Sequence, residues 1–118
     1  MASFANTPEP PYYAAIFSSQ HATELSGYAE MGEKMLQLAA QQPGFLGAES
    51  VRATDGFGIT VSYWASAEAI AAWKANVEHA VAQALAKKSW YEHYELRISK
   101  VERAYNFTQQ ASEGSAND

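Results

Sequence analysis

Residues 45–64 read FLGAESVRATDGFGITVSYW. Two strand-length runs, Phe45 to Ala53 and Phe57 to Trp64, flank Thr54-Asp55-Gly56. Asp-Gly accepts positive φ at little steric cost, so the stretch predicts a β-hairpin. In the second run Ile59, Val61 and Tyr63 alternate with Thr60 and Ser62, the two-residue period of a strand.

The flanking segments extend the pattern. Upstream, Tyr28 to Gln42 predicts a helix, because Tyr28, Met31, Met35, Leu38 and Ala39 recur at spacings of 3, 4, 3 and 1. Pro43-Gly44 stops it. Before it, Tyr12 to Ser19 is aromatic and apolar over the length of a strand. Downstream, Ser66 suits the N-cap of a second helix reaching about Lys88, and Glu68 suits its positive end. A turn around Trp90-Tyr91 leads to a last strand, Tyr94 to Tyr105, with Leu96, Ile98 and Val101 as apolar members. The order β-α-β-β-α-β predicts an α+β, ferredoxin-like domain over residues 12–105, two helices covering one face of an antiparallel sheet. Residues 1–11, with Pro8, Pro10 and Pro11, read as a flexible, extended arm, and residues 106–118 as a polar tail.

The strands are apolar on both sides. In the first, Ala14, Ile16 and Ser18 alternate with Tyr13, Ala15 and Phe17. A sheet with two such faces needs a second layer, and a two-fold homodimer supplies it. Composition bounds the rest. Eight basic against 13 acidic residues give a net charge of −5, which argues against nucleic-acid binding. There is no cysteine, so disulfides, thiolate metal sites and cysteine nucleophiles are excluded. No apolar run is long enough for a membrane helix. The first eleven residues lack the layout of a signal peptide, so a cytoplasmic location is expected.

At Gly58 to Trp64, Ser66 to Ile70, Ala72-Trp73-Lys74, Asn76 and Glu78-His79, the chain resembles the antibiotic biosynthesis monooxygenase superfamily. Trp90-Tyr91, Val101-Glu102-Arg103 and the helix-one exit Gln41 to Gly47 extend the likeness over about residues 12–105. The resemblance implies a dimeric α/β barrel. Its function is open, because the superfamily includes cofactor-free oxygenases of aromatic polyketides, haem degraders and members without an assigned role.

Trp64 and Trp73 are either core fillers sealing the second helix onto the sheet or the walls of a slot for a planar ligand. Phe17, Tyr63, Trp90 and Tyr91 would extend those walls. His79 is the histidine inside the family-like motif. On an unbroken helix it lies opposite the apolar stripe, toward solvent. A break at Asn76, a good N-cap, would reset its phase and turn it toward the slot with Gln83 and Trp90. There it would act as general base or oxyanion partner, with Asn76 as a donor. His21 and His93 read as solvated. The three histidines have no metal-ligand spacing. Ser18, Ser19 and Gln20 end the first strand either as polar pocket groups or as ordinary strand-end residues, with no nucleophile elbow around them. Arg97 and Arg103 read as ion-pair partners of Glu95 and Glu102 within reach of Arg52, or as holders of an anionic substrate oxygen.

Three functions follow. The first is cofactor-independent monooxygenation of an aromatic or polyketide-like substrate. The second is a non-enzymatic, ligand-binding or stress-related dimer. The third, disfavoured, is haem binding or degradation. The haem branch implies an asparagine on the first strand, where this chain has Phe17-Ser18-Ser19, and a helix-two histidine whose place falls near Gln83. Trp64 alone fits that branch.

Overall fold

The computed structural model describes residues 4–21, 36–85 and 91–109, and their side chains except at 21, 77–85, 91 and 92. Four strands form one antiparallel sheet: β1 (Tyr12–His21), β2 (Phe45–Arg52), β3 (Phe57–Trp64) and β4 (Tyr91–Val101), in the spatial order β2-β3-β1-β4. A helical segment, α1, is described over residues 36–40. Helix α2 spans Ala67–Leu85. The chain is therefore a ferredoxin-like α+β domain with the order β-α-β-β-α-β.

The local chemistry accounts for the joints. In the β2–β3 hairpin, Ala53 N–H donates to the Phe57 carbonyl at 2.8 Å and Gly56 N–H to the Ala53 carbonyl at 3.0 Å. Gly56 sits at φ 95°, the left-handed region a three-residue hairpin loop demands of its last residue. The Asp55 carboxylate accepts from Phe57 N–H at 3.0 Å. At the exit of α1, Gln41 and Gln42 N–H reach back three residues to Leu38 and Ala39, and Gly44 turns the chain at φ 88°. Ser66 caps α2, its hydroxyl accepting from Ala69 N–H at 3.1 Å.

Several boundaries differ from the sequence reading. β1 continues to His21 and β4 begins at Tyr91, because the two pair out to that end (His21 with Tyr91). β4 stops at Val101, opposite Tyr12 where β1 begins, rather than at Tyr105. A strand lasts only as long as its partner supplies hydrogen bonds. Helix α2 runs through Asn76 without a break. Residues 86–90, including the turn at Trp90, lie outside the described residues, as do most of the first predicted helix and residues 110–118 of the tail.

Strand alternation divides the sheet into two faces. The helix-facing side holds Tyr13, Ala15, Phe17 and Ser19 of β1, with Trp64, Ser62, Thr60 and Gly58 opposite them on β3. Ala15, Ala39, Trp64 and Ile70 form the buried cluster here, and Tyr13, Phe45, Ala69 and Trp73 pack against it. The second face holds Tyr12, Ala14 and Ile16 beside Tyr63, Val61 and Ile59. Part of it is covered by the chain's own N-terminal arm. Ala5 N–H donates to Glu49 Oε2 at 2.9 Å, and Thr7 Oγ1 lies 3.1 Å from the Tyr12 hydroxyl.

Candidate functional site

The helix-facing side of the sheet is built in rungs. The first joins Phe45, Trp64, Tyr13 and Lys100 across β2, β3, β1 and β4. The second joins Ala48, Ser62, Ala15 and Ile98; the third Ser50, Thr60, Phe17 and Leu96; the fourth Arg52, Gly58, Ser19 and Tyr94. From Tyr13 to Ser19 the strand advances about 20 Å. One end is aromatic, the other polar and cationic. Between them β2 and β3 contribute only small side chains: Ala48, Ser50, Thr60 and Ser62.

Trp64 is fully buried. Its ring stacks on Trp73 with centroids 6.1 Å apart and planes 28° apart. Phe45 meets it edge-on at 5.3 Å, and its indole N–H donates to Ser62 Oγ at 2.9 Å. Trp64 thus fills the core, while Trp73, half-buried on the first turns of α2, carries the aromatic surface outward from it. Phe17 lies on the same face, its ring 5.2 Å from that of Tyr94.

At the polar end Arg52 crosses β3 to reach β1. Its Nη2 donates to Ser19 Oγ at 3.0 Å, and Nη1 donates to the Gly56 carbonyl and, at 3.4 Å, to the Ser19 carbonyl. An ideal Cβ at Gly58 would lie 2.6 Å from Arg52 Cζ, so only glycine leaves this path open. Next to it Ser50 Oγ and Thr60 Oγ1 share a hydrogen bond of 2.7 Å. Sequence reasoning set Arg52 within reach of the charged residues of β4, Glu95 and Arg97 among them. It joins Ser19 instead, because those two residues stand on the other face. The signal was present in the parity of Arg52 and Gly58, but it needed the register to be read.

Tyr63 also departs from its expected place. It neighbours Trp64 on β3 and so points to the second face, where its hydroxyl donates to Glu49 Oε1 at 2.8 Å and its ring meets Tyr12 edge-on at 5.8 Å. It is no wall of the Trp64–Trp73 slot. Burial, followed by the hydrogen bond and charge of Glu49, raises its pKa to about 12. Asn76 is exposed, with its amide donating to the Ala72 carbonyl at 3.4 Å. His79 lies on α2, but its side chain lies outside the described residues, as do those of Gln83, Trp90, Tyr91 and His21.

On β4, Arg97 pairs with Glu95 at 2.6 Å and His93 lies 3.0 Å from the same carboxylate. The His93 hydrogen bond, then the Arg97 charge, hold Glu95 below the usual carboxylate range. Among the described residues no three His, Asp or Glu cluster as metal ligands. The described helix-facing sheet positions offer no histidine, methionine or asparagine for haem, and the helix-two position near Gln83 lies outside the described side chains. A groove of about 290 Å³ between Gln42–Gly44 and Ser66, Ala69 and Ala72 lies outside the slot. Among the described residues no helix is long and apolar enough to cross a membrane.

Comparison with known proteins gives a consistent picture. The family profile described as antibiotic biosynthesis monooxygenase matches residues 12–85. An uncharacterised protein of Bacillus subtilis, YqjZ, is 50% identical over 109 residues, covering 92% of this chain and 96% of its own. Among solved structures, SnoaB, a cofactor-independent oxygenase from Streptomyces nogalater, superposes with a TM-score of 0.60 at 14% identity, covering 86% of this chain and 98% of its own. NE2512, a protein of unknown function from Nitrosomonas europaea, gives 0.59 at 13% identity, covering 88% and 100%. At these identities the structural likenesses speak for the fold.

Proposed function

Because this chain belongs to the antibiotic biosynthesis monooxygenase family, we propose that it is a cofactor-independent monooxygenase acting, as a cytoplasmic homodimer, on a planar aromatic or polyketide-like substrate. The observation that carries the reading is the Trp64–Trp73 stack at 6.1 Å, set at one end of a floor of small side chains. A fused-ring substrate lies flat on such a floor and extends the stack.

The chemistry asks little of the protein beyond binding and proton management. A ring CH₂ made acidic by neighbouring carbonyl and phenol groups gives up a proton to a base. The resulting carbanion reduces and adds O₂, and the hydroperoxide loses water to leave a carbonyl, so CH₂ and O₂ become C=O and H₂O. His79 on α2 is the proposed base; because α2 runs unbroken through Asn76, it acts from the side of the helix that carries the exposed Asn76 rather than from inside the slot. Phe17 lines the floor beside the stack and excludes water. SnoaB, with the same fold, is a cofactor-independent oxygenase, and the reaction class is carried over from it.

The test is O₂ uptake with a hydroxylated anthrone. One O₂ consumed per substrate, with His79→Ala lowering turnover by about 10²-fold or more in a folded protein, is the expected result. Unchanged turnover in that variant removes His79 from the mechanism. Stoichiometric binding without O₂ uptake would favour a second reading, a ligand-binding or stress-related dimer. That reading draws on Trp64 being wholly buried with its N–H satisfied, the situation of a core residue.

A further inference from the structure

Ser19 holds a hydroxyl that the fold buries and does not fully use. The residue is 2% exposed. Its oxygen accepts from Arg52 Nη2 at 3.0 Å, yet among the described residues nothing accepts its proton. Buried polar hydrogens are nearly always donated, and one that is not asks for an explanation. The arrangement depends on one glycine. Arg52 is brought over β3 only because residue 58 has no side chain. The two charged residues at the described helix-facing sheet positions, Arg52 and Lys100, are both cations. Glu49 and Glu95, the carboxylates of β2 and β4, stand on the second face. One rung away the Ser50–Thr60 hydroxyl pair, with Ser50 exposed and Thr60 half-buried, leaves a polar approach. The Phe17 and Tyr94 rings flank the other side.

We propose that Ser19 and Arg52 form the anion end of the aromatic slot, binding an oxygen anion carried on a planar ring (a phenolate or enolate) in preference to its neutral form. This rests on the aromatic-ligand reading above and gives that ligand a charge and an orientation. The Ser19 Oγ–H donates to the ligand oxygen, while the oxygen of the same hydroxyl accepts from Arg52. The guanidinium therefore strengthens the donor and adds its own field. The rings extend from there over Thr60 and Ser62 toward Trp73. An oxygenase of this kind gains from holding its substrate ionised, because the anion is the form that reduces O₂.

The test uses 4-nitro-1-naphthol, whose visible absorption band reports ionisation directly, titrated with pH at saturating full-length protein. The expected result is an apparent pKa lowered by about one unit, corresponding to about tenfold tighter binding of the phenolate than of the phenol. Arg52→Met and Ser19→Ala should each abolish the shift while retaining affinity for the neutral probe. Arg52→Lys should keep part of it, and Lys100→Met all of it. A purely structural clip between β1 and β2 would change melting temperature in these variants and leave the probe's ionisation alone. Binding with an unshifted pKa in the wild-type protein, which needs no variant to fold, would overturn the anion site and leave the aromatic slot standing. A shift that survives both Arg52→Met and Ser19→Ala would overturn it too. No binding at all would remove the slot as well. The readout involves no turnover, so the oxygenase reading can fail while the anion site stands.

Discussion

Single residues decide which face of the sheet does what. Trp64 and Tyr63 are adjacent, and a strand sends neighbours to opposite sides. Trp64 therefore joins the helix-facing core, and Tyr63 meets Glu49 on the other face. That separation was available from the two-residue period alone. The Ser19–Arg52 contact was not, since residues 33 apart in sequence meet only through the register of two strand pairs. Tyr63 makes a testable residue-scale case. Its pKa is raised to about 12 against about 10 in an unfolded chain, so folding favours the protonated hydroxyl. The associated stability is fully present below about pH 10 and is lost as pH rises through about 12. Tyrosinate absorbance at alkaline pH, compared with Tyr63→Phe to isolate this ring, should show the late titration. Glu49→Gln should move its midpoint down toward 10. An unchanged midpoint would mean that burial alone sets it.

At the scale of elements, the joint between α1 and α2 is the most demanding. The Gly44 carbonyl accepts from Ala65 N–H at 2.7 Å, and an ideal Cβ at Gly44 would lie 2.8 Å from the Ala69 Cβ. With φ at 88°, Gly44→Ala meets both backbone strain and a clash, and should destabilise by about 2 kcal/mol. Ser66→Ala removes the hydroxyl that caps α2 and should cost about 1 kcal/mol. Urea unfolding measures both, and the ranking Gly44→Ala above Ser66→Ala is the expectation. Reversal would mean that the two helices separate readily at this joint. Helix α2 itself decides between the two readings at Asn76, in favour of an unbroken helix. Asparagine inside a helix costs well under 1 kcal/mol relative to alanine. A 19-residue helix with Ile70 and Trp73 packed on the sheet absorbs that, so a good capping residue does not by itself create an end.

For the molecule as a whole, the second sheet face is an open surface among the described residues. The arm covers its Tyr12–Glu49 end, while Val51, Phe57 and Ile59 are 71%, 45% and 37% exposed. Glu95 and Arg97 line the β4 side. An apolar centre with a charged border suits an isologous contact with a second copy. Sedimentation should give twice the 12.9 kDa chain mass. Val51→Lys combined with Ile59→Lys should give the monomer, since each copy would then bury two unpaired ammonium groups. A double variant that stays dimeric would place the interface elsewhere.

Hydrophobic periodicity, Asp-Gly at the hairpin and Pro-Gly after the first helix are local signals, and they sufficed for the element order and hence the ferredoxin-like fold. The motif around Trp64 and Trp73 sufficed for the family. These features rest on backbone preferences and on burial patterns that each segment carries alone. The ends of β1 and β4, the face Tyr63 occupies, the continuity of α2 and the route of Arg52 over Gly58 to Ser19 were settled by pairing and packing between segments. A hydrogen bond across three strands, or a glycine whose value lies in a neighbour's passing side chain, is a property of register. It exists only once distant parts of the chain lie side by side.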